Sequence, residues 1–248
     1  MPAQHVPIRE PSDPPLYVWS DAMFELVKDE RSAAVSALDD ESKEVFHAAS
    51  AAIAFVVFDP VDGTWHSCSA QVGPDVLKLM VPGKRTYIGQ LEALAAAAVL
   101  SSMPAVRLRG RRMLFWIDNL AAKYGLQKGY SKVDDSGRII NSFKVSQARL
   151  GVSIHFEYVP SHQNVADLPS RDRVAEMRQV IFDATGTALV GEGPGQNWFE
   201  YDFQLPEFRT WESPLGPWPA KRVARSGSRG AKRQKASQEA SVQAGSTS

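Results

Sequence analysis

Four acidic residues, Asp21, Glu92, Asp118 and Asp167, stand within or after apolar segments of the sequence. Three of them follow runs of strand-forming residues, and Glu92 interrupts a helical segment that is otherwise apolar for a turn on either side. A carboxylate in such surroundings is costly to bury unless it is paired or bound to a cation. If the four acids converge, a divalent ion among them relieves their mutual repulsion.

Acids in such positions suit a metal-dependent phosphodiesterase. Mg²⁺ prefers oxygen ligands and keeps waters and substrate phosphates in its shell. Two such ions about 4 Å apart activate a water molecule and stabilise the leaving oxygen in an in-line displacement at phosphorus. Taken alone, each acid also fits a plainer role, because an Asp after a strand often caps a helix and a helical Glu often faces solvent. The ordered set of four favours the metal site.

The elements that must position these acids follow from local periodicity. Apolar and β-branched runs bounded by turn residues predict strands, and apolar spacing near 3.6 residues predicts helices. The predicted strands cover residues 16–24, 51–58, 64–72, 112–117 and 152–159, and the predicted helices cover 87–103, 119–127 and 137–150, with a short helix after Val165. This order predicts an α/β fold in which a mixed five-stranded sheet, with β1–β3 antiparallel, is flanked by helices.

Composition sets the remaining boundaries. Residues 1–15 are predicted to be a flexible lead-in, 16–175 the folded domain, 176–219 a Pro- and aromatic-rich extension, and 220–248 a disordered basic tail. The formal net charge is zero, although residues 221–235 hold seven Lys or Arg and no acid. That tail fits a nuclear-import signal, a nucleic-acid tether or a solubilising segment.

Several classes of protein are disfavoured by the sequence. The single cysteine, Cys68, excludes an internal disulfide framework and a Cys-based zinc site, and it is predicted to be buried in a reducing compartment. There is no apolar run of about 18 residues and no secretory pattern at Met1. We therefore expect an intracellular protein without a membrane partner, nuclear if the tail is an import signal and otherwise cytoplasmic.

Four motifs resemble the RNase H domain of reverse-transcribing elements, of the retroelement and hepadnavirus type. The matching segments are Ser20-Asp21-Ala22 after Leu-Tyr-Val-Trp, Gln90-Leu-Glu92-Ala-Leu-Ala, Phe115-Trp-Ile-Asp118-Asn119 and, as the most specific, residues 158–171 with the sequence Tyr-Val-Pro-Ser-His-Gln-Asn-Val-Ala-Asp-Leu-Pro-Ser-Arg. The resemblance spans roughly residues 16–172. It implies a five-stranded mixed sheet, dependence on two Mg²⁺ or Mn²⁺ ions, and cleavage of the RNA strand of an RNA–DNA hybrid.

By motif match, the resemblance implies that Asp21, Glu92, Asp118 and Asp167 are the metal ligands. The sequence departs from the family in three ways. The loop before Asp167 is shorter than in the relatives that use a mobile catalytic His, which weakens the match of His162 to that residue. The glycine-rich hairpin after the first Asp is replaced by about 25 insertion-like residues at 25–49, and no Tyr-x-Asp-Asp polymerase motif is present. We therefore expect a domain that either stands alone, works beside a reverse transcriptase, or belongs to a larger polyprotein.

Further residues near these motifs are candidates for catalysis or nucleic-acid binding. His162 could move a proton or assist product release, or it could be a loop residue with local hydrogen bonds. Asn164 is predicted to cap the last helix. Contacts to the sugar–phosphate backbone are predicted for Asn119, Ser131, Arg171, Lys123 and Lys128, with helix capping, ion pairing or solvation as the plainer alternatives.

Two other functions fit the same residues. One is a 3′→5′ exonuclease of the four-acid class, which His162 and Asp167 favour by their His-x₄-Asp spacing and which Asp21-Ala-Met disfavours, since that class has Asp-x-Glu on its first strand. The other is a catalytically inactive nucleic-acid-binding module, which the insertion at 25–49 favours.

Overall fold

The computed structural model describes residues 13–26, 49–77, 79–80 and 86–207. Residues 1–12 of the predicted lead-in, 27–48 of the predicted insertion and 208–248, which include the basic tail, lie outside the described residues. The predictions made for those three segments are therefore untested by the structure.

A single mixed sheet forms the centre of the described chain. Its strands are β1 (Leu16–Leu26), β2 (Ala49–Asp59), β3 (Thr64–Gln71), β4 (Arg112–Ile117), β5 (Ser153–Tyr158) and β6 (Trp198–Glu200). Their spatial order is β5-β4-β1-β2-β3-β6. β1, β2 and β3 are antiparallel, whereas β4 lies parallel to β1, β5 parallel to β4 and β6 parallel to β3.

The predicted α/β fold is confirmed, with one addition to the sheet. All five predicted strands are present, and their bounds differ from the predicted ones by two residues at most. The sixth strand, β6, was not predicted because three residues are too few to give an alternation signal. It lies in the predicted extension at 176–219. It pairs with β3, so that Trp198 of β6 lies opposite Trp65 of β3.

Helices cover both faces of the sheet. They are α1 (Pro74–Leu77), α2 (Ile88–Ser102), α3 (Ala105–Leu108), α4 (Leu120–Lys128), α5 (Asp134–Leu150), α6 (Asp167–Ser170) and α7 (Val174–Thr185). The predicted helix ends at Gly129 and Gly151 are confirmed, since both glycines take the left-handed conformation at φ 79° and 65°. The helix α7 was not predicted, and most of it lies in the segment 176–219 that the sequence analysis assigned to a Pro- and aromatic-rich extension.

The main core lies between the sheet and α2, α4 and α5. α2 is buried almost throughout, because its Leu and Ala side chains pack against β1 and β2 on one side and α5 on the other. Gln90 and Glu92 are the polar members of its buried set. Gln90 donates from Nε2 to Asp135 Oδ1 over 3.2 Å, and this bond ties α2 to the start of α5.

The opposite face of the sheet carries aromatic rings and is partly covered by α7. Trp19 stacks on Trp116 with ring centroids 4.9 Å apart, and Phe58 packs against Trp65 at 4.7 Å. Met177 and Ile181 of α7 complete this second apolar cluster. The stacking of Trp19 on Trp116 holds β1 beside β4 one residue before the pairing of the two strands ends. No helix among the described residues is long and apolar enough to cross a membrane.

Candidate active site

Three of the four candidate acids meet where β1 and β4 stop pairing. The parallel pairing of the two strands ends at Ser20 opposite Ile117. Asp21 is the next residue of β1, and Asp118 is the first residue after β4. Glu92 reaches them from the second turn of α2. Each of the three carboxylates offers an oxygen atom, and these oxygens all lie within 4.8 Å of one another.

Burial gives these acids unusual proton affinities. Asp21 and Glu92 are each 2% exposed, whereas Asp118 is half-buried. Burial, assisted by the negative charges of Asp118 and Asp167, raises the pKa of Asp21 to about 7. Burial also raises the pKa of Glu92 well above its usual value, and the nearby Asp21 and Asp118 add to this effect. Both shifts reflect the cost of placing charged carboxylates together in a buried site, and a bound cation would lower that cost.

The chemistry of the cluster fits a divalent cation. Among the described residues, Glu92 Oε2 is buried without a hydrogen-bond partner, an arrangement that is costly unless the atom has a ligand. With three carboxylate oxygens within 4.8 Å of one another, the cluster offers the hard oxygen donors that Mg²⁺ and Mn²⁺ prefer.

The fourth candidate acid, Asp167, begins α6 and is engaged by an arginine. Arg171 donates from Nε to Asp167 Oδ1 over 2.9 Å, one helical turn away. The charge of Asp167 nevertheless raises the pKa of Asp21, so the two carboxylates are electrostatically coupled. Asp167 therefore lies beside the three-acid cluster, while its own carboxylate is neutralised by the paired Arg171 guanidinium.

Two residues of the closing motif contact Asp21 directly, and the sequence analysis gave neither of them this role. Ser170 donates from its hydroxyl to Asp21 Oδ2 over 2.5 Å. Asn164 donates from Nδ2 to the Ser20 carbonyl at 2.9 Å and lies 3.4 Å from Asp21 Oδ1. The predicted capping role of Asn164 is wrong, because the N-cap of α6 is Ala166, without a side-chain cap bond. Asn164 Oδ1 instead accepts a hydrogen bond from the Ala166 backbone at 3.2 Å in the turn before α6.

Positive charge lies on α4, the helix that follows Asp118. The ammonium groups of Lys123 and Lys128 each stand 5.9 Å from the centre of the Tyr124 ring, which is 50% exposed. Lys123 also lies 3.8 Å from Glu157 on β5. Tyr124 was not singled out from the sequence, because an aromatic residue between two lysines has no distinctive pattern.

The remaining candidates occupy local structures next to the site. Asn119 caps α4, since its Oδ1 accepts a hydrogen bond from the Ala122 backbone at 3.0 Å. Ser131 accepts one from the Val133 backbone at 3.1 Å, in the turn before α5. His162 is exposed in a 3₁₀ turn that spans residues 161–163. The nucleic-acid contacts predicted for Asn119 and Ser131 stay predictions, as does the catalytic role predicted for His162.

Comparison with known proteins gives distant likenesses. No protein-family model matches the sequence, and no curated protein matches it. Among solved structures, the chain is similar to the N-terminal RNase H domain of a Mycobacterium tuberculosis protein solved as a fusion with maltose-binding protein, at 14% identity and a TM-score of 0.42 over 66% of this chain and 96% of that one. RNase H1 of the halophilic archaeon Halobacterium salinarum gives 14% and 0.42, over 65% of this chain and 98% of that one.

A viral structure gives a weaker likeness. The protease–reverse transcriptase of prototype foamy virus is 12% identical, with a TM-score of 0.33, over 62% of this chain and 19% of that one.

Proposed function

We propose that this chain is a metal-dependent endonuclease that hydrolyses the RNA strand of RNA–DNA hybrids. The observation that carries the proposal is the convergence of Asp21, Glu92 and Asp118, two of them almost fully buried, at the point where β1 and β4 separate. Buried carboxylates that repel one another are stable when a divalent cation lies among them. The order of the motifs along the chain supports the choice of substrate.

In this proposal, Asp21, Glu92, Asp118 and Asp167 hold two Mg²⁺ ions, and Mn²⁺ can replace them. The bound ions supply Lewis acidity for attack by water and neutralise the charge that develops on the leaving oxygen. The protein's part is to orient the carboxylates and to exclude bulk water from Asp21 and Glu92, which the burial of both supports. His162, which is exposed beside α6, is proposed to carry a proton or to assist product release.

The proposed hybrid lies across the face formed by α4 and the closing motif. Lys123 and Lys128 on either side of Tyr124 supply phosphate contacts and a ring that can pack on sugar or base. Asn119, Ser131 and Arg171 are proposed to add sugar–phosphate contacts. Hybrids are recognised by shape and by 2′-hydroxyl groups more than by base edges, and short polar side chains suit such contacts.

The proposed assignment to a retroelement-derived RNase H rests on the closing motif at residues 158–171. Its Asn-x-x-Asp and following Ser-Arg support a retroelement-derived domain of 16–175, which works beside a reverse transcriptase or within a parent polyprotein. The basic residues at 221–235 support nuclear import or tethering to nucleic acid. In this proposal, residues 1–15, 176–219 and 220–248 are accessory to the nuclease domain.

The proposal is tested with an RNA–DNA hybrid labelled within its RNA strand. Internal RNA cuts are expected in Mg²⁺, and they are expected to disappear in EDTA and in Asp118→Asn. The matched control is Asp183→Asn, which removes an exposed carboxylate on α7 that bonds to Gln179. Normal cutting by Asp118→Asn would contradict the proposal, as would the absence of cutting in both Mg²⁺ and Mn²⁺.

The same assay separates the two alternative functions. Mononucleotides released from a 3′ end would identify the exonuclease, for which the exposed His162 five residues before Asp167 is the favouring observation. Hybrid binding without metal-dependent cutting would identify the inactive module. The Arg171–Asp167 ion pair favours that module, because it already neutralises the fourth acid without a metal.

A further inference from the structure

The strongest contact on Asp21 comes from outside the acidic cluster. Ser170 donates to Asp21 Oδ2 at 2.5 Å, and the two residues are 149 positions apart in the sequence. Ser170 is 1% exposed and Asp21 is 2% exposed, so water does not compete for this bond. A hydrogen bond from a hydroxyl to a buried carboxylate is charge-assisted when the acid is ionised, and it fixes the plane of the carboxylate.

Ser170 is itself held in place by its surroundings. The carbonyl of Pro169 accepts a hydrogen bond of 2.6 Å from the hydroxyl of Ser69 on β3. On the other side, Asn164 binds the Ser20 carbonyl of β1 at 2.9 Å. The segment that carries Ser170 is thereby tied to two strands, so its hydroxyl has a defined position relative to Asp21.

We propose that Ser170 is a positioning residue of the metal site, whose hydroxyl fixes the Asp21 carboxylate in the orientation that binds a divalent cation. With Oδ2 engaged by Ser170, the more weakly held Oδ1 is the oxygen available to a cation, since Asn164 contacts it at 3.4 Å. The Ser170 hydroxyl has a single proton, which the Asp167 carbonyl, 2.9 Å away, can accept instead. The hydroxyl therefore couples Asp21 to the backbone of Asp167.

This inference rests on the part of the proposed function that assigns a cation to the Asp21, Glu92 and Asp118 cluster, and it does not depend on the substrate. Groups that hydrogen-bond metal ligands change metal affinity by about 10–100-fold when they are removed. A residue that only stabilises the fold would change the melting temperature without such a change in affinity. Metal affinity therefore separates positioning from scaffolding.

The experiment is a calorimetric titration of the full chain with Mn²⁺, paired with thermal unfolding in EDTA. Ser170→Ala is expected to weaken Mn²⁺ binding by about tenfold or more, and Ser170→Thr, which keeps the hydroxyl, to bind close to wild type. The matched control is Ser67→Ala, which removes another buried hydroxyl, one that accepts a hydrogen bond of 2.8 Å from the Trp198 indole and does not bond to the segment that carries Ser170. It is expected to cost melting temperature in EDTA and to leave Mn²⁺ affinity unchanged.

Three outcomes would overturn the inference. They are wild-type affinity in Ser170→Ala, an equal loss of affinity in Ser67→Ala, and the absence of Mn²⁺ binding by the wild-type protein. Failure of the nuclease proposal would give a different combination of results. If the wild type binds Mn²⁺ but does not cut a hybrid, and Ser170→Ala still weakens binding, the nuclease proposal fails and the positioning role of Ser170 stands.

Discussion

The guanidinium of Arg171 and the carboxylate of Asp167 form an ion pair one helical turn apart, with Nε and Oδ1 separated by 2.9 Å. The proposed function assigns Asp167 as the fourth metal ligand, and under that proposal Arg171 competes with the cation for this carboxylate. The pair is partly open to solvent, with side chains 44% and 24% exposed. Exposed pairs contribute about 0–1 kcal/mol, so a divalent cation can displace the arginine.

The first prediction concerns this competition. Arg171→Gln is expected to tighten Mn²⁺ binding by about two- to fivefold at low salt. It removes an ion pair with Asp167 that contributes about 0–1 kcal/mol and that the cation would otherwise have to break. Calorimetry checks the change, and Arg149→Gln, which disrupts an exposed pair with Glu207 at the end of α5, is the control. Unchanged or weaker Mn²⁺ binding by Arg171→Gln would show that Arg171 does not oppose the cation.

The second prediction concerns the proton on Asp21. Its pKa is raised from 3.8 to about 7, so the folded protein keeps a proton that the unfolded chain loses between those two pH values. The stability of the metal-free protein therefore decreases as pH rises from about 4 to about 7 because of this group. Asp21→Asn, which cannot ionise, is expected to lose that contribution.

Urea unfolding in EDTA at several pH values tests this expectation. The stability of Asp21→Asn relative to wild type should rise between pH 4 and pH 7 by up to about 4 kcal/mol, the linkage limit for a shift of this size. Added Mn²⁺ should then stabilise wild type and leave the variant unchanged. A stability difference that does not vary with pH would mean that Asp21 is ionised in the folded protein throughout this range.

Local patterns predicted most of the sheet and the three long helices around the main core. Arg112–Ile117 was predicted with the same bounds that the structure has, because a strand-forming run between Gly110 and Asp118 has sharp ends. The helix ends at Gly129 and Gly151 were predictable for a similar reason, since glycine accepts the left-handed conformation that ends a helix. These are features that neighbouring residues determine.

Features created by distant contacts were not predictable. α7 was missed because its buried residues are Met177 and Ile181 alone, and two residues give too short an apolar stripe to predict a helix. The Ser170–Asp21 bond joins two residues whose proximity depends on the whole sheet. The convergence of Asp21, Glu92 and Asp118 was anticipated from their positions relative to strands and a helix. For Arg171 the sequence allowed both a phosphate contact and an ion pair, and the structure has an ion pair with Asp167.

The third prediction concerns the positive surface of α4. Lys128→Gln is expected to weaken hybrid binding to a similar degree for all sequences and to lower the salt slope by about one, as the loss of one phosphate contact does. Fluorescence anisotropy with an uncut hybrid in EDTA, at several salt concentrations, gives both quantities. Arg149→Gln, on the exposed end of α5 where the arginine pairs with Glu207, is the control. An equal effect of the two substitutions would place the hybrid elsewhere.

The fourth prediction concerns a buried histidine that anchors the segment after β6. His66 is 1% exposed, and its two ring nitrogens lie 2.9 Å from the Tyr201 hydroxyl and 3.0 Å from the Thr64 hydroxyl. Burial, with a smaller contribution from the charge of Arg107, lowers the pKa of His66 to about 4. The nearby acids Asp59 and Asp62 oppose this shift and are weaker than burial.

The sign of the resulting pH dependence is opposite to that of Asp21. The unfolded chain binds a proton on this histidine below its ordinary pKa of 6.5, whereas the folded protein leaves it neutral down to about 4. Stability from His66 is therefore complete above pH 6.5 and is lost as pH falls towards 4. His66→Gln keeps hydrogen-bonding groups but cannot titrate, so its unfolding free energy is expected to vary less with pH across that window.

Tyr201→Phe separates the hydrogen bond from the titration. It leaves one buried ring nitrogen of His66 without its partner, which is expected to cost about 1–3 kcal/mol at pH 7. Urea unfolding at pH 4.5, 5.5, 6.5 and 7.5 for wild type and both variants measures the cost and the slope together. If His66→Gln shows the wild-type slope, the pKa of His66 is the same in the folded and unfolded states, and burial among Thr64, Tyr201 and the sheet does not lower it.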